Sequence, residues 1–240
     1  MGGGVVLLIV EILLLPSRAL RIRSGNLYGK IIGPMVFRIA GISIEVEGRD
    51  KINGSMPAIY LANHSSNVDP WASMWLCPMG GCGVAKKEIG RIPVFGQVYW
   101  LAGHLLIDRG SPQKAIASVN ELSDLVKKLG LSIWLWPEGT QSKDGRLLPF
   151  KRGFVHMAIA TGLPVVPVVF HDAHKRWPAR SPTLTPGALN VTVLDPIDTS
   201  NWTSETSKEH ALAVQSVFTE HLAPHQRPVQ QEPPADVGSP

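Results

Sequence analysis

After residue 41 the chain alternates short apolar, β-rich runs with longer helical stretches, a pattern that restricts it to an α/β fold. "ISIEVEG" alternates its faces as a first strand, and "PAIYLA" ends a second run at Ala62. "HLLI" (104–107), "LSIWLW" (131–136), "LPVVPVVF" (163–170) and "LNVTVL" (189–194) read as further strands. Helical patterns cover roughly 69–78, 111–129 and 151–161, and Gly130 is placed as a C-terminal stop. Pro167 inside a strand pattern points to an edge strand or a bulge, because proline cannot donate to a ladder. The expected architecture is one α/β domain, residues 41–222, with a mixed central sheet flanked by helices. The hydrophobic content of 44% is ample for its core.

The polar residues fall at strand ends. "YLA" is followed by Asn63 and His64, "LLI" by Asp108 and Arg109, and "IWLW" by Pro137 and Glu138. In open α/β sheets ligands bind beyond the carboxyl ends of the strands, so these groups, distant in sequence, are expected to converge on one crevice.

The net charge of +4 is localised: residues 1–40 carry Arg18, Arg21, Arg23, Lys30 and Arg38 against Glu11 alone, and the remainder balances. A basic segment that is also very apolar suits anionic lipid better than nucleic acid, so no nucleic-acid partner is expected. "VVLLIVEILLL" (5–15) would be roughly 17 Å long as a helix, too short for a hydrocarbon core of ~30 Å. Its basic residues follow the apolar stretch, the reverse of a signal peptide. In "NLYGKIIGPMVFRIAG" the residues Leu27, Tyr28, Ile31, Ile32, Met35, Val36 and Ile39 recur at helical spacing, with Pro34 expected to kink the helix. Residues 1–40 are therefore read as short helices lying in a membrane interface, arginines at headgroup level. Ordinary core covering is the competing reading. A peripheral or monotopic location on the cytoplasmic face follows from the first.

Cys77 and Cys82 form neither a disulfide framework nor a zinc pattern and suit a reducing compartment. From about Ala223 the tail is rich in proline and polar residues, and 223–240 is expected to be disordered.

"NHSSNVDP" places His64 and Asp69 five positions apart. Within one straight helix they would diverge by about 140°. With His64 on a loop and Asp69 in a first helical turn, capped by Ser65, Ser66 or Asn67, they can meet. The carboxylate then fixes the imidazole tautomer and leaves the other nitrogen free as a base. A chance juxtaposition, a nucleophilic Ser65 or Ser66, and a metal site at His171, Asp172 and His174 are the alternatives. No G-x-S-x-G elbow occurs in the sequence.

Four motifs in order, "NHSSNVD", "AKKEIGRIPVFGQVYWLAGHLLIDRG", "WPEGTQS" and "FKRGFVHMAIATGLPVVPV", resemble the glycerophospholipid acyltransferase family over roughly residues 40–195. The resemblance implies transfer of a fatty acyl chain from acyl-CoA or acyl carrier protein to the free hydroxyl of a lysophospholipid, with no cofactor and no metal. It makes His64 the general base and Asp69 its orienting partner, attack on the thioester being direct. Lys86 and Arg109 match acceptor-phosphate positions, Glu138, Gly139 and Thr140 the acceptor motif, and Asn63 and Arg152 supporting places. Asn63 would steady the loop or the developing oxyanion, and Glu138 would meet the glycerol or a cationic group.

The sequence departs from the family at Gln141, where arginine usually follows the threonine, and at Trp136, where phenylalanine is common. The first leaves the acceptor headgroup open between 1-acylglycerol-3-phosphate and another lysophospholipid or lyso-aminolipid. A non-catalytic lipid-binding protein on the same scaffold is the reading from another class.

Overall fold

The computed structural model describes residues 2–54, 57–93, 95–108 and 110–229. Seven strands, β1 (Ile42–Glu47), β2 (Ile59–Ala62), β3 (Gly81–Lys86), β4 (Leu105–Ile107), β5 (Ser132–Leu135), β6 (Val165–His171) and β7 (Gly187–Val193), form one sheet in the order β1-β7-β6-β2-β5-β3-β4. Every pairing is parallel except β6 with β7. The sheet is therefore mixed, as expected, and β2 to β6 all end at the same edge.

Helices α1 (Gly2–Leu13), α2 (Arg18–Ala40), α3 (Asp50–Gly54), α4 (Asp69–Leu76), α5 (Phe95–Leu101), α6 (Pro112–Leu129), α7 (Gly153–Thr161) and α8 (Ser207–His221) flank it. Side chains alternate across β2. Ile59 and Leu61 join a core with Leu122 and Val126 of α6, Phe154 of α7 and Phe218 of α8. Tyr60 and Ala62 join the opposite core with Phe37 of α2 and Ala72 of α4. With both faces covered, β2 and β5 are buried throughout, which is why they read as continuous apolar runs. Gly130, at φ 60°, closes α6 as expected.

Strand β3 was not anticipated: "GCGVAK" has weak strand propensity, and its pairing with β5 and β4 imposes the conformation. Of the two alternatives for Pro167, the edge strand fails, and the irregularity beside it lies in the partner stretch 194–196. β6 lies inside the sheet, and Leu194 N–H donates to the Pro167 carbonyl at 2.9 Å. The pairing shifts there from Val168 opposite Val193 to Val165 opposite Ile197, leaving two residues facing three.

The N-terminal segment forms two helices, the second running through Pro34 without a break. α2 buries Ile22, Asn26, Gly29, Gly33 and Phe37. A Cβ at Gly29 would sit 2.6 Å from the Met74 carbonyl oxygen, and one at Gly33 2.7 Å from Trp75 Cβ, so α2 seats directly on α4. Its other face exposes Leu20, Leu27, Ile31, Met35 and Ile39, the last 84% accessible. Among the described residues no helix is long and apolar enough to cross a membrane.

Two arginines expected at headgroup level point inward instead. Arg18 donates to the carbonyls of Gly103 (2.9 Å) and His104 (3.0 Å), and Arg21 to that of Leu101 (2.6 Å). They satisfy carbonyls at and just beyond the end of α5, where cations are favoured. Lys30 does the same beyond α4 at the Cys77 carbonyl, 3.2 Å away.

The expected disorder from residue 223 does not hold for 223–229. Pro224–Gln226 is a 3-10 turn with Gln226 buried, and hydrogen bonds from both backbone and side chains tie it to the domain. Residues 230–240 lie outside the described residues.

Candidate active site

β2 ends at Ala62, and the next residue extends the sheet with its side chain. Asn63 Nδ2 donates to the Phe170 carbonyl at 2.9 Å, and its Oδ1 accepts Phe170 N–H at 2.7 Å. Both polar atoms of Asn63 are thus committed to β6. It thereby steadies the start of the loop.

The chain then turns through 64–68 into α4. No serine or asparagine caps that helix in the expected way: Val68 occupies the N-cap without a side-chain bond. The first-turn Asp69 reaches back instead. Its Oδ2 accepts N–H from Ser65 and Ser66, each at 2.7 Å, and lies 2.9 Å from His64 Nδ1. An ionised carboxylate offers only acceptors, so Nδ1 carries the proton and Nε2 is left with its lone pair. Asp69 is fully buried. Burial pushes its carboxyl up, while the bond to His64 and the two N–H bonds pull it down. Trp136 stacks on the imidazole at 4.2 Å between centroids and 13° between planes, a π face that favours a developing imidazolium.

The segment after β5 grips the peptide of His64 on both sides. Glu138 Oε1 accepts His64 N–H at 2.7 Å, and the His64 carbonyl accepts Ser142 N–H at 2.8 Å. Glu138 Oε2 accepts Leu148 N–H at 3.1 Å. Both oxygens accept from backbone and the residue is buried, so Glu138 holds the loop that carries His64. Burial pushes its carboxyl up to about 8, against the pull of the His64 and Leu148 N–H groups. Gly139 adopts φ 69°, which lets the chain turn directly after Glu138. Thr140 is exposed, and Gln141 Nε2 donates to Asn67 Oδ1 at 3.2 Å.

His64, Asp69, Asn63 and Glu138 are therefore brought together, with Gly139 and Thr140 following Glu138. Lys86 is exposed at the end of β3, on the same edge of the sheet. Arg152 is exposed at the start of α7, and neither joins the hydrogen-bonded group. Arg109 lies outside the described residues; its neighbour Asp108 pairs with Lys87 at 3.3 Å. The "HDAH" groups are engaged separately: His171 with Thr192 at 2.9 Å, and Asp172 with Lys175 and His225. Ser142 and Leu148 were not foreseen, because a backbone N–H leaves no mark in sequence.

The arrangement is an imidazole oriented by a buried carboxylate at the carboxyl edge of a sheet, suited to taking a proton from a hydroxyl. The profile of the acyltransferase family matches residues 43–171. The chain is 42% identical over 221 residues to the 1-acyl-sn-glycerol-3-phosphate acyltransferase of Limnanthes douglasii, covering 92% of this chain and 78% of that one. It is 35% identical to the enzyme of that name from Escherichia coli (strain K12), over 83% of this chain and 78% of that one. Its fold is similar to that of the 1-acyl-sn-glycerophosphate (LPA) acyltransferase PlsC from Thermotoga maritima, with a TM-score of 0.72, 26% identity, and coverage of 91% and 86%.

Proposed function

Because this chain belongs to the glycerophospholipid acyltransferase family and is an O-acyltransferase, we propose that it acylates the free hydroxyl of 1-acyl-sn-glycerol-3-phosphate, forming phosphatidic acid. The donor is acyl-CoA or acyl carrier protein. The observation that carries the mechanism is the 2.9 Å contact between His64 Nδ1 and Asp69 Oδ2. His64 Nε2 takes the hydroxyl proton as the hydroxyl oxygen bonds to the thioester carbonyl carbon. The C–S bond then breaks, and the imidazolium returns the proton to the leaving thiolate. Direct transfer needs no acyl-enzyme, and positioned base catalysis of this kind contributes about 10²–10⁴-fold. Lys86 and Arg109 supply positive charge for the acceptor phosphate.

The outward stripe of α2, Leu20, Leu27, Ile31, Met35 and Ile39, supports a peripheral position on the cytoplasmic face of a membrane, where both the lipid acceptor and product reside. The neutral Gln141, bonded to Asn67, favours a second reading in which the acceptor is another lysophospholipid or a lyso-aminolipid.

The deciding experiment is acyl transfer by purified, detergent-solubilised protein, supplied with acyl-CoA and acyl carrier protein in parallel, against a panel of lysolipids. Product from lysophosphatidate that disappears in His64→Ala supports the first reading. Product only from another lysolipid moves the reading to the second. No product from folded protein would favour a non-catalytic lipid-binding role.

A further inference from the structure

The C-terminal segment reaches the catalytic loop by an unbroken path of hydrogen bonds. The Gln226 carbonyl accepts Leu147 N–H at 2.8 Å, and the Arg227 carbonyl accepts Arg146 Nη1–H at 3.2 Å. The next amide, Leu148 N–H, holds Glu138 Oε2, and Glu138 Oε1 holds His64 N–H. Two side chains shape the turn that presents Gln226. His225 Nε2 lies 2.6 Å from Asp172 Oδ1, and Arg227 Nε donates to the Leu222 carbonyl at 2.9 Å. Asp172 sits just past β6 at φ 50°, a left-handed conformation uncommon outside glycine, which places its carboxylate between His225 and Lys175. Leu222 and Gln226 are buried, so the turn is part of the packed domain.

We propose that the turn Pro224–Gln226 is a positioning element of the active site, with His225 its latch: it fixes the 146–148 loop, which fixes Glu138, which fixes the His64 backbone. The structure thereby ties the last described stretch of the chain to a residue some 160 positions earlier. Asp172 anchors the latch to the strand next to β2, so β6 and the catalytic loop share one frame. The catalytic consequence rests on the reading of His64 as the base, whereas the mechanical link does not.

The test uses full-length His225→Ala and the double variant His225→Ala/Arg227→Ala, with His225→Gln as the conservative replacement that keeps an N–H donor. Backbone amide exchange at residues 64, 147 and 148 is followed beside steady-state kinetics. His225 is about half exposed, so the single variant is expected to fold. The expected result is faster exchange at Leu147, Leu148 and His64, kcat reduced about three- to tenfold with both KM values within twofold, and recovery in His225→Gln. Faster exchange at Leu147 with His64 unaffected would overturn the link. A rise in KM at constant kcat, or kcat unchanged while all three amides loosen, would overturn the positioning role. Should His64→Ala retain activity, the base assignment fails, while the exchange data still decide the link.

Discussion

Glu138 holds the backbone amide of His64 at 2.7 Å and leaves its imidazole to Asp69. Two carboxyl groups thus serve one histidine, one fixing where its peptide lies and the other how its ring turns. Their removal has different signatures. Asp69→Asn keeps an acceptor oxygen for the three contacts at Oδ2 but removes the negative charge that stabilises the imidazolium, and kcat is expected to fall by about 10²–10⁴-fold. His64→Ala is expected to fall at least as far with an unchanged circular dichroism spectrum.

Glu138→Gln brings an amide N–H against one of two backbone N–H groups, so one of those bonds is lost. A drop in kcat of roughly tenfold or more is expected, with slower loss in acceptor affinity, read by a kcat and KM split.

Glu138 also predicts a pH signature in stability. Its carboxyl is raised in the fold to about 8 from an ordinary 4.5, so the folded state keeps a proton that the unfolded chain releases between those values. Its contribution is complete below about 4.5 and lost as pH rises through about 8. Thermal melts of wild type and Glu138→Gln from pH 5 to 8.5 are expected to show wild type losing stability relative to the variant as pH rises. Parallel curves would remove the protonated buried carboxyl from the account.

The two faces of α2 make separable predictions. Ile31→Glu/Ile39→Glu changes exposed positions and is expected to abolish co-sedimentation with anionic liposomes while leaving the melting temperature within a few degrees. Retained sedimentation would refute the lipid-facing assignment.

Arg21→Ala strips the Leu101 carbonyl of its donor inside the fold and is expected to cost about 1–3 kcal/mol in denaturant unfolding. Liposome binding by the folded variant is expected to persist.

What could be read from sequence follows burial. β2 and β5 stand out because both faces are covered, and the groups after them stand out because a polar residue directly following such a run has few reasons to be there. β3 was silent because glycines and a cysteine carry little strand preference, and its neighbours decide its conformation. Arg18 and Arg21 read as headgroup cations because their carbonyl partners lie 79 to 86 residues away. Glu138 could be picked out as a polar residue just after a buried run, yet its bonds to His64 and Leu148 could not be read, because main-chain amides leave no mark in sequence. The same holds for the turn at 224–226, which no apolar pattern announces.

The seating of Gly29 and Gly33 on α4 has a wider consequence. α4 opens with Asp69, so the helix proposed to meet the membrane lies against the helix whose first turn carries the carboxylate beside His64, in close contact at those two points. A single methyl group at either glycine would act as a shim against the C-terminal half of α4, at Met74 or Trp75. Should α2 rest on lipid as proposed, any shift in its depth or tilt would be passed to α4, the element that carries Asp69.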